Sequence, residues 1–311
     1  MDSEVLVAGE TLVDFIPDAP GPLAGVESFS RRPGGAPANV AVGLARLDRT
    51  PWFCSAVATD PFGEFLASTL DEEGIPDRFV VRDPDRQTAL AFVSHGTDAD
   101  REFTFYRSDT ADVHLDTSVV DDATLESVEV VAVGGVSLSV EPARSATFDL
   151  VERARARGCL VLFDPNYRPE LWHDDPGPVI RRMLARTDVL KVSDEDLSGP
   201  GLPSDPSGLL DAVDDAVFLT EGGAGARLLA DDGSPWGAGE WRHGGFRVDD
   251  VVDTTGAGDA FTAGIIAGLV DGDAPEDLLA FANAVAAAST TSRGAVTALP
   301  DRDAVARIRE R

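Results

Sequence analysis

Short apolar runs rich in β-branched residues alternate with longer segments of helical spacing along most of the chain. We interpret as strands residues 4–9, 11–16, 52–58, 128–135, 159–166, 188–193 and 216–220, and EGGAGARLLA (221–230) as a glycine-rich turn followed by the next strand. We interpret as helices residues 40–47, 60–75, 141–157, 179–186, 260–270, 275–289 and 301–309. Because parallel strands need crossover connections, which are usually helices, this alternation predicts an α/β fold whose mostly parallel sheet is covered on both faces.

One segment does not follow this alternation. Residues 88–95 and 101–107 are apolar, β-branched or aromatic, and the polar turn GTDAD joins them, which predicts a hairpin. We expect the hairpin to form a small separate sheet with residues 11–35. No repeat or clear linker is visible, and 311 residues suit one large α/β domain with an appendage, or two domains.

The stretch DTTGAGDAF, residues 253–261, follows a β-like run at 246–252 and opens a helix of small residues. Its side chains leave little bulk at the turn, so backbone N–H groups can approach an anion at the positive end of the helix dipole. Asp259 stands in the first helical turn, where a carboxylate beside an anion is unfavourable unless it accepts a proton. The combination predicts phosphoryl transfer, with an ordinary glycine-rich helix start as the alternative.

Other polar clusters also follow predicted strands. They are Gly9-Glu10 and the runs 164–168, 191–196 and 220–225. Since ligands bind beyond the carboxyl ends of the strands in open parallel sheets, these clusters predict one shared site. Asn39, within PGGAPANVAVGLARL (residues 33–47), either caps a helix or faces a ligand.

Several common sites lack the residues that they need. The chain has no G-x-x-x-x-G-K-[ST] phosphate loop, no H-R-D or D-F-G element and no G-x-G-x-x-G after its first strand. Its four histidines are scattered, which gives little basis for a zinc site or a Ser-His-Asp arrangement. Cys54 and Cys159 stand in apolar runs, so we expect two buried thiols rather than a disulfide or a metal pair.

The charge of the chain is unusual, with 55 acidic and 26 basic residues and a net charge of -29. Such a surface repels nucleic acid and anionic membranes, so we expect neither as a partner. Lys191 is the only lysine, and dispersed carboxylates with so little lysine are typical of adaptation to high salt, as in a halophile. No signal peptide and no apolar stretch of about 18 residues is present, so we expect a cytoplasmic protein.

PGGAPANVAVGLARL and DTTGAGDAF resemble the two signatures of the ribokinase-like (PfkB) carbohydrate kinases, and the resemblance covers essentially the whole chain. The segments that resemble the fructokinase branch are GETLVDFIP, QTALAFV, REFTFYRSDTADVHL, GGVSLSVEPARSA, DPNYRPELW and TALP. The resemblance implies a ribokinase-like three-layer α/β/α fold over residues 1–311, with a mostly parallel sheet. It also implies a small β-sheet lid, from about residues 11–35 and 87–115, that commonly forms a homodimer.

The same resemblance implies an activity and the residues that carry it. The γ-phosphate of ATP, with Mg²⁺, would be transferred to a hydroxyl of fructose. Asp259 would be the general base, and the backbone of Gly256, Ala257 and Gly258 the anion hole. The residues implied to contact the sugar are Asp14, Gly34, Gly35, Asn39, Phe105, Arg107 and Arg168. The residues implied to contact the nucleotide are Lys191, Ser193, Thr220, Gly222, Gly223, Gly225 and Asn283, and Asp196 would contact the metal directly or through water.

The chain departs from the family pattern at two places. The family's N-x-x-E is replaced by a run from Ser193 to Asp196, and its T-L-G-x-x-G by TEGGAG, which puts Glu221 near the nucleotide. We hypothesise that Lys191 stayed a lysine because a compact ammonium is needed near phosphates or carboxylates; chance explains a single lysine equally well.

Three alternatives to a fructokinase stay open. Two are enzymes of the same fold, a 2-keto-3-deoxygluconate kinase and a ketohexokinase that phosphorylates C1. An acid substrate would need a cation in the lid pocket besides Arg107 and Arg168, and the sequence indicates none. The third is a catalytically inactive sugar sensor, which should have a damaged base or anion hole, whereas Asp259 and its glycines are present.

Overall fold

The computed structural model describes residues 3–19, 21–95, 101–194 and 196–310, so the predicted hairpin turn at 96–100 lies outside the described residues. The strands are β1 (Val5–Ala8), β2 (Leu12–Pro17), β3 (Phe29–Gly34), β4 (Trp52–Ala58), β5 (Val80–Asp83), β6 (Leu90–His95), β7 (Arg101–Tyr106), β8 (Val130–Gly134), β9 (Leu160–Asp164), β10 (Val189–Ser193), β11 (Ala216–Thr220), β12 (Ala226–Ala230) and β13 (Gly239–His243). The helices are α1 (Ala36–Arg46), α2 (Pro61–Glu72), α3 (Asp122–Ser127), α4 (Ala143–Arg155), α5 (Gly177–Leu184), α6 (Pro206–Leu210), α7 (Ala257–Asp271), α8 (Pro275–Ser289), α9 (Ala295–Ala298) and α10 (Arg302–Arg309).

The main sheet has nine strands in the described part of the chain, in the order β13-β12-β11-β10-β9-β8-β1-β4-β5. The strands from β11 to β5 in this order pair in parallel, whereas β12 and β13 pair antiparallel at one edge. The chain order reverses between β1 and β8, and a ligand crevice is expected beyond the carboxyl ends of strands at such a point.

Alternate residues of β1 face two different apolar layers. Val7 packs in the layer that contains Ile265 of α7, and Leu6 packs in the layer that contains Phe148 of α4. Helices therefore cover both faces of the sheet. The predicted three-layer fold with a mostly parallel sheet is confirmed.

A separate small sheet has the strand order β3-β2-β6-β7 among the described residues. On β2, Val13 and Phe15 pack toward Phe62 and other apolar residues of α2. Asp14 and Ile16, which alternate with them, line a cavity on the other side. Only residues 9–11 join β2 to β1, so the small sheet lies beside the carboxyl edge of the main sheet. The prediction of a separate small sheet is confirmed.

One strand prediction near the C-terminal motif was wrong, and one strand was missed. Residues 246–252, all of which are described, form no strand, and Val251 and Val252 are 58% and 49% exposed. The missed strand is β13, whose sequence GEWRH has no apolar run that would have predicted it.

The helix after the glycine-rich turn is longer than predicted. It begins at Ala257 rather than at residue 260, because Gly256 adopts a left-handed conformation and the Ala260 N–H already donates to the Gly256 carbonyl at 2.8 Å. Asp259 is consequently the third residue of α7. Predicted ends elsewhere shift by a few residues, as in α4 and α5.

The cysteine prediction is confirmed, since Cys54 and Cys159 are both buried free thiols. Among the helices of the described ranges, none combines the length and the apolar character needed to cross a membrane.

Candidate active site

The turn before α7 is held by hydrogen bonds to one carboxylate. Asp253 accepts hydrogen bonds from the N–H groups of Thr255 and Gly294, each at 2.9 Å. Gly256 has a φ of 77°, and a Cβ at this position would lie 2.9 Å from the Cβ of Ala295. Both the conformation and the lack of space therefore require glycine here.

The first amides of α7 differ in what they offer to an anion. The Ala257 N–H closes the turn by donating to the Thr254 carbonyl at 3.2 Å. The Gly258 N–H, at the second helical position, has no acceptor within the helix. Of the predicted anion-hole residues, Gly258 is thus better placed than Ala257 to donate to a ligand.

Asp259 lies beside these amides and is 9% exposed. Its Oδ2 accepts a hydrogen bond from Asn39 Nδ2 at 2.7 Å. Burial raises the pKa of Asp259 to about 6; the Asn39 bond opposes this shift, Asp164 adds to it, and Lys191 opposes it. A carboxylate with such a pKa is ionised near neutral pH and is still basic enough to accept a proton from a hydroxyl.

Asn39 is not a helix cap. The N-cap of α1 is Gly35, and Asn39 is the fourth residue of the helix. Its side chain instead orients Asp259, which is 220 positions away in the sequence. The capping alternative was therefore wrong.

Asp14 is the second acid of this region. Burial raises the pKa of Asp14 to about 7, the negative charge of Asp259 raises it further, and Arg168 lowers it. A Cβ at Gly34 would lie 2.2 Å from Asp14 Oδ2, so the carboxylate occupies the space that any other side chain at Gly34 would need. Asp14, Gly34 and Asp259 are thus brought together, as predicted for sugar contacts.

Arg168 lies with these two acids. Its positive charge lowers the pKa of both Asp14 and Asp259. The guanidinium carbon is 5.6 Å from the ring centroid of Phe103, which stacks on Phe105 with the centroids 5.8 Å apart. The predicted sugar residues Arg168 and Phe105 therefore meet through Phe103, which the sequence analysis missed.

Arg107 has a different environment. Its Nε pairs with Asp112, and its Nη1 donates to Ser139 Oγ at 3.0 Å. The side chains of Arg107 and Asp112 are only 4% and 1% exposed. The guanidinium is thus held inside the protein by partners that the sequence analysis did not identify.

A cavity of about 350 Å³ lies between the small sheet and the turn before α7. Asp14 and Phe103 line it from the small sheet, and Asp253 from the turn. Arg32 and Arg293 line it as well, so the expectation that no further cation is available was wrong. Arg32 lies opposite Asp14 in the β2–β3 register, and a predicted pairing of these strands would have found it.

Lys191 lies beneath the anion-hole turn and is 5% exposed. Its Nζ is 3.0 Å from Asp164 Oδ2, which also accepts a hydrogen bond from Thr262 Oγ1 at 3.1 Å. A Cβ at Gly258 would lie 3.2 Å from Lys191 Nζ. The single lysine is therefore packed between a buried carboxylate and the backbone of an anion-hole residue.

Ser193 and Asp196 form one hydrogen-bonded unit. Asp196 Oδ2 accepts hydrogen bonds from the N–H and Oγ of Ser193 at 2.9 and 2.7 Å, and Oδ1 accepts one from the Tyr167 N–H at 3.1 Å. Oδ2 therefore has both lone pairs engaged, whereas Oδ1 has a further lone pair that can accept a metal-bound water, which suits Mg²⁺ because this ion keeps several waters. The described residues contain no group of three or more His, Cys, Asp or Glu placed to hold a metal ion. The donor set therefore fits Mg²⁺ contacted through water rather than enclosed by protein ligands.

The turn at residues 220–225 leaves room for a ligand on one side. A Cβ at Gly222 or Gly223 would meet nothing within 4 Å, whereas one at Gly225 would lie 2.0 Å from the His243 carbonyl oxygen. Glu221 pairs with Arg227 at 3.1 Å and with an arginine of β13 at 2.8 Å, so its charge is neutralised away from this opening.

The other residues predicted to contact the nucleotide, Thr220 and Asn283, are less accessible than Gly222 and Gly223. Thr220 ends β11 next to Ser193 of β10. Asn283 of α8 is 6% exposed and donates to the Leu279 carbonyl in its own helix at 2.8 Å. The structure therefore does not present Asn283 to an open surface.

Fold and site define a class of protein: an α/β protein with a glycine-rich helix start and a buried carboxylate of raised pKa at the carboxyl edge of a mostly parallel sheet. Residues 2–302 match the family described as "pfkB family carbohydrate kinase". The fructokinase of Klebsiella pneumoniae is 37% identical over 316 residues, which cover 97% of this chain and 98% of that protein. The chain belongs to the pfkB family of carbohydrate kinases.

Solved structures agree with this assignment. The fructokinase of Xylella fastidiosa with bound ATP is similar with a TM-score of 0.84 and 30% sequence identity, and 98% of each chain is covered. The fructokinase of Vibrio cholerae in a fructose-, ADP- and calcium-bound form is similar with a TM-score of 0.83 and 31% identity, again over 98% of each chain. The predicted family, fold and enzyme class, a carbohydrate kinase, are confirmed. The roles of individual residues stay predictions.

Proposed function

We propose that this carbohydrate kinase transfers the γ-phosphate of ATP to a hydroxyl of fructose. The relatives support the substrate, since fructokinases match the chain over nearly its whole length. The observation that carries the chemistry is the placement of buried Asp259, oriented by Asn39, within one residue of the Gly258 amide.

Asp259 acts as the general base. The Asn39 hydrogen bond occupies Oδ2, and the other carboxylate oxygen takes the proton of the attacking hydroxyl. With a pKa of about 6, the group is mostly ionised at neutral pH. The Gly258 amide and the dipole of α7 stabilise the charge that develops on the transferred phosphoryl group.

The chemistry that a bound Mg²⁺ would supply is neutralisation of part of the charge of the ATP phosphates. The Ser193–Asp196 unit would hold the waters of the ion, and the open side of the turn at 220–225 would hold the nucleotide. Lys191 keeps the helix start positive by balancing Asp164. Asn283 stays a predicted neighbour of the nucleotide.

The small sheet acts as a lid over the sugar, built from about residues 11–35 and 87–115 and inserted in a single kinase domain of residues 1–311. Asp14, Gly34, Gly35, Asn39, Phe105, Arg107 and Arg168 form the sugar side. Closure excludes water and suppresses ATP hydrolysis. We further propose a homodimer through this sheet, where Tyr106 of the edge strand β7 is 62% exposed, and a cytoplasmic location.

One observation favours a second substrate class. Arg32 and Arg293 line the cavity and supply the cations that an acid substrate such as 2-keto-3-deoxygluconate would need. A substrate panel separates the two proposals. ADP release is measured in molar KCl with fructose, other neutral sugars and 2-keto-3-deoxygluconate, and the phosphorylated position is read by NMR. Preferred turnover of fructose supports a fructokinase, with a C1 product indicating a ketohexokinase. Turnover of the acid alone, or of no sugar at all, contradicts the proposal.

A further inference from the structure

Glu10 is buried beside the proposed site, but the chemistry described above does not use it. It directly follows Gly9 at the end of β1 and is 2% exposed. Its Oε2 has no hydrogen-bond partner among the described residues. Burial raises the pKa of Glu10 to about 7, the nearby charge of Arg107 opposes the shift, and Asp112 and Asp259 add to it. A buried carboxylate with an unused oxygen calls for a functional explanation.

Arg107 carries the matching unused donor. Its Nε and Nη1 are held by Asp112 and Ser139, but Nη2 has no partner within the described ranges. The other oxygen of Asp112 accepts a hydrogen bond from Thr110 Oγ1 at 2.6 Å, so both oxygens of this acid have a partner. Two nitrogens of the guanidinium are held, and Nη2 is available to a second carboxylate.

Both groups lie where the chain passes between the two sheets. Glu10 belongs to the connection of residues 9–11 between β1 and β2, and Arg107 directly follows β7. The backbone of Glu10 is tightly packed, since a Cβ at Gly35 would lie 2.6 Å from its carbonyl oxygen. The small sheet is also joined to the rest of the fold between β3 and α1 and between β5 and β6, so a tilt relative to the main sheet would act at these two connections among others.

We propose that Glu10 is a positioning residue that forms an ion pair with Arg107 when the small sheet closes over the sugar. The pair would satisfy two buried polar atoms of opposite charge at once, so it stabilises the closed arrangement more than the open one. Glu10 acts through Arg107 and touches no reacting atom. The inference rests on the proposed function, in which the small sheet is the lid.

The test is a kinetic cycle on Glu10→Gln and Arg107→Met in the full chain, in molar KCl. Glu10→Gln keeps the size of the side chain and removes its charge, and we expect the KM for fructose to rise about 10-fold because a charge-assisted hydrogen bond of the closed state is lost. The KM for ATP and the kcat at saturating sugar should change by less than about 2-fold. Because Glu10 acts through Arg107, the double variant should be no worse than Arg107→Met alone.

Glu73→Gln is the matched control. Glu73 also pairs with an arginine, Arg46, but far from the connections between the sheets, so it should alter the melting temperature without altering the KM for sugar. An unchanged KM for fructose in Glu10→Gln, or additive effects of the two substitutions, would overturn the pairing.

A second measurement, which needs no variant, tests the proposal if Glu10→Gln does not fold. In the wild-type protein, hydrogen exchange of the amides at 9–11 and 107–110 is followed with and without fructose. Slower exchange with fructose at both connections supports the pairing, and unchanged exchange overturns it. Failure of the proposed function can be distinguished from failure of the Glu10–Arg107 pairing, because the wild-type protein would then turn over no fructose at all.

Discussion

At the scale of single residues, Asp259 combines a chemical role with a cost in stability. Burial raises its pKa from 3.8 to about 6, so its ionised form is less favourable in the folded protein than in the unfolded chain. A group whose pKa is higher in the folded protein than in the unfolded chain stabilises the fold fully at pH values below its pKa in the unfolded chain. This stabilisation is lost as the pH rises through the pKa of the folded protein. At neutral pH, therefore, the ionised base weakens the fold.

Replacing Asp259 with asparagine should consequently stabilise the protein at alkaline pH. We expect the free energy of unfolding to rise by about 1–2 kcal/mol at pH 8, and the gain to shrink as the pH is lowered from 7 to 5. Urea unfolding at several pH values measures this difference. A gain of equal size at every pH, or a loss at pH 8, would show that burial of the charge is not its cause.

Lys191 gives a second prediction at this scale. Its ammonium fits between Asp164 and Gly258, where a planar guanidinium has no room, so Lys191→Arg should lower kcat about 10-fold or more. Lys191→Met removes a charge that lowers the pKa of Asp259, so the acid limb of the pH–kcat profile should move up by about one unit. Arg186→Met, which breaks an ion pair with Glu152 at the opposite end of the strands, should leave the profile in place. Unchanged kinetics and stability in Lys191→Arg would refute the argument.

At the scale of elements, both ends of α7 carry a left-handed glycine, but only one end faces the site. Gly256 has a φ of 77° and would clash with Ala295, whereas Gly272 has a φ of 69° and open space around it. Gly272→Ala should cost about 1 kcal/mol of stability through backbone strain and leave kcat unchanged. Gly256→Ala should cost more and abolish turnover, because the turn must move. Melting temperature and kcat, measured on both variants, test this; equal effects on kcat would contradict it.

The elements also explain how much the sequence could predict. The central parallel strands were predictable because their residues are buried on both faces and form continuous apolar runs, as in VVAVG of β8, whereas the partly exposed edge strand β5 was missed. β13 was not, because an edge strand needs little apolar character, and the apolar residues at 246–252 were misleading because Val251 and Val252 are exposed instead of packed in a sheet.

The candidate site was likewise predictable where its chemistry is local in the sequence and not where it depends on tertiary contacts. Asp259 and its glycines lie in one short segment whose chemistry is local, so the sequence predicted them together. The partners of the predicted residues, such as Asp112 beside Arg107 or Arg32 beside Asp14, depend on strand register and side-chain direction. These are set by tertiary pairing, which a local pattern does not contain.

At the scale of the whole molecule, a net charge of -29 opposes the compact state through self-repulsion. Salt weakens this repulsion, because the screening length falls from about 10 Å at 0.1 M to about 3 Å at 1 M. The small fraction of basic residues, 26 against 55 acids, leaves many surface carboxylates to be screened in this way.

Stability should therefore rise steeply with salt. We expect the melting temperature to increase by at least about 10 °C between 0.1 and 2 M KCl, with choline chloride giving a similar increase if the effect is screening alone. A melting temperature independent of KCl would contradict the electrostatic account. An increase with KCl but none with choline chloride would assign the effect to bound cations.

The proposed function of the whole molecule depends on Asp259 as the base, and one comparison tests this proposal most directly. Asp259→Asn is measured beside Asp277→Asn, which changes an exposed aspartate in the first turn of the neighbouring helix α8. ADP release with fructose and ATP in molar KCl should fall about 100-fold or more in Asp259→Asn and stay at the wild-type rate in Asp277→Asn. Turnover undiminished in Asp259→Asn would contradict the account.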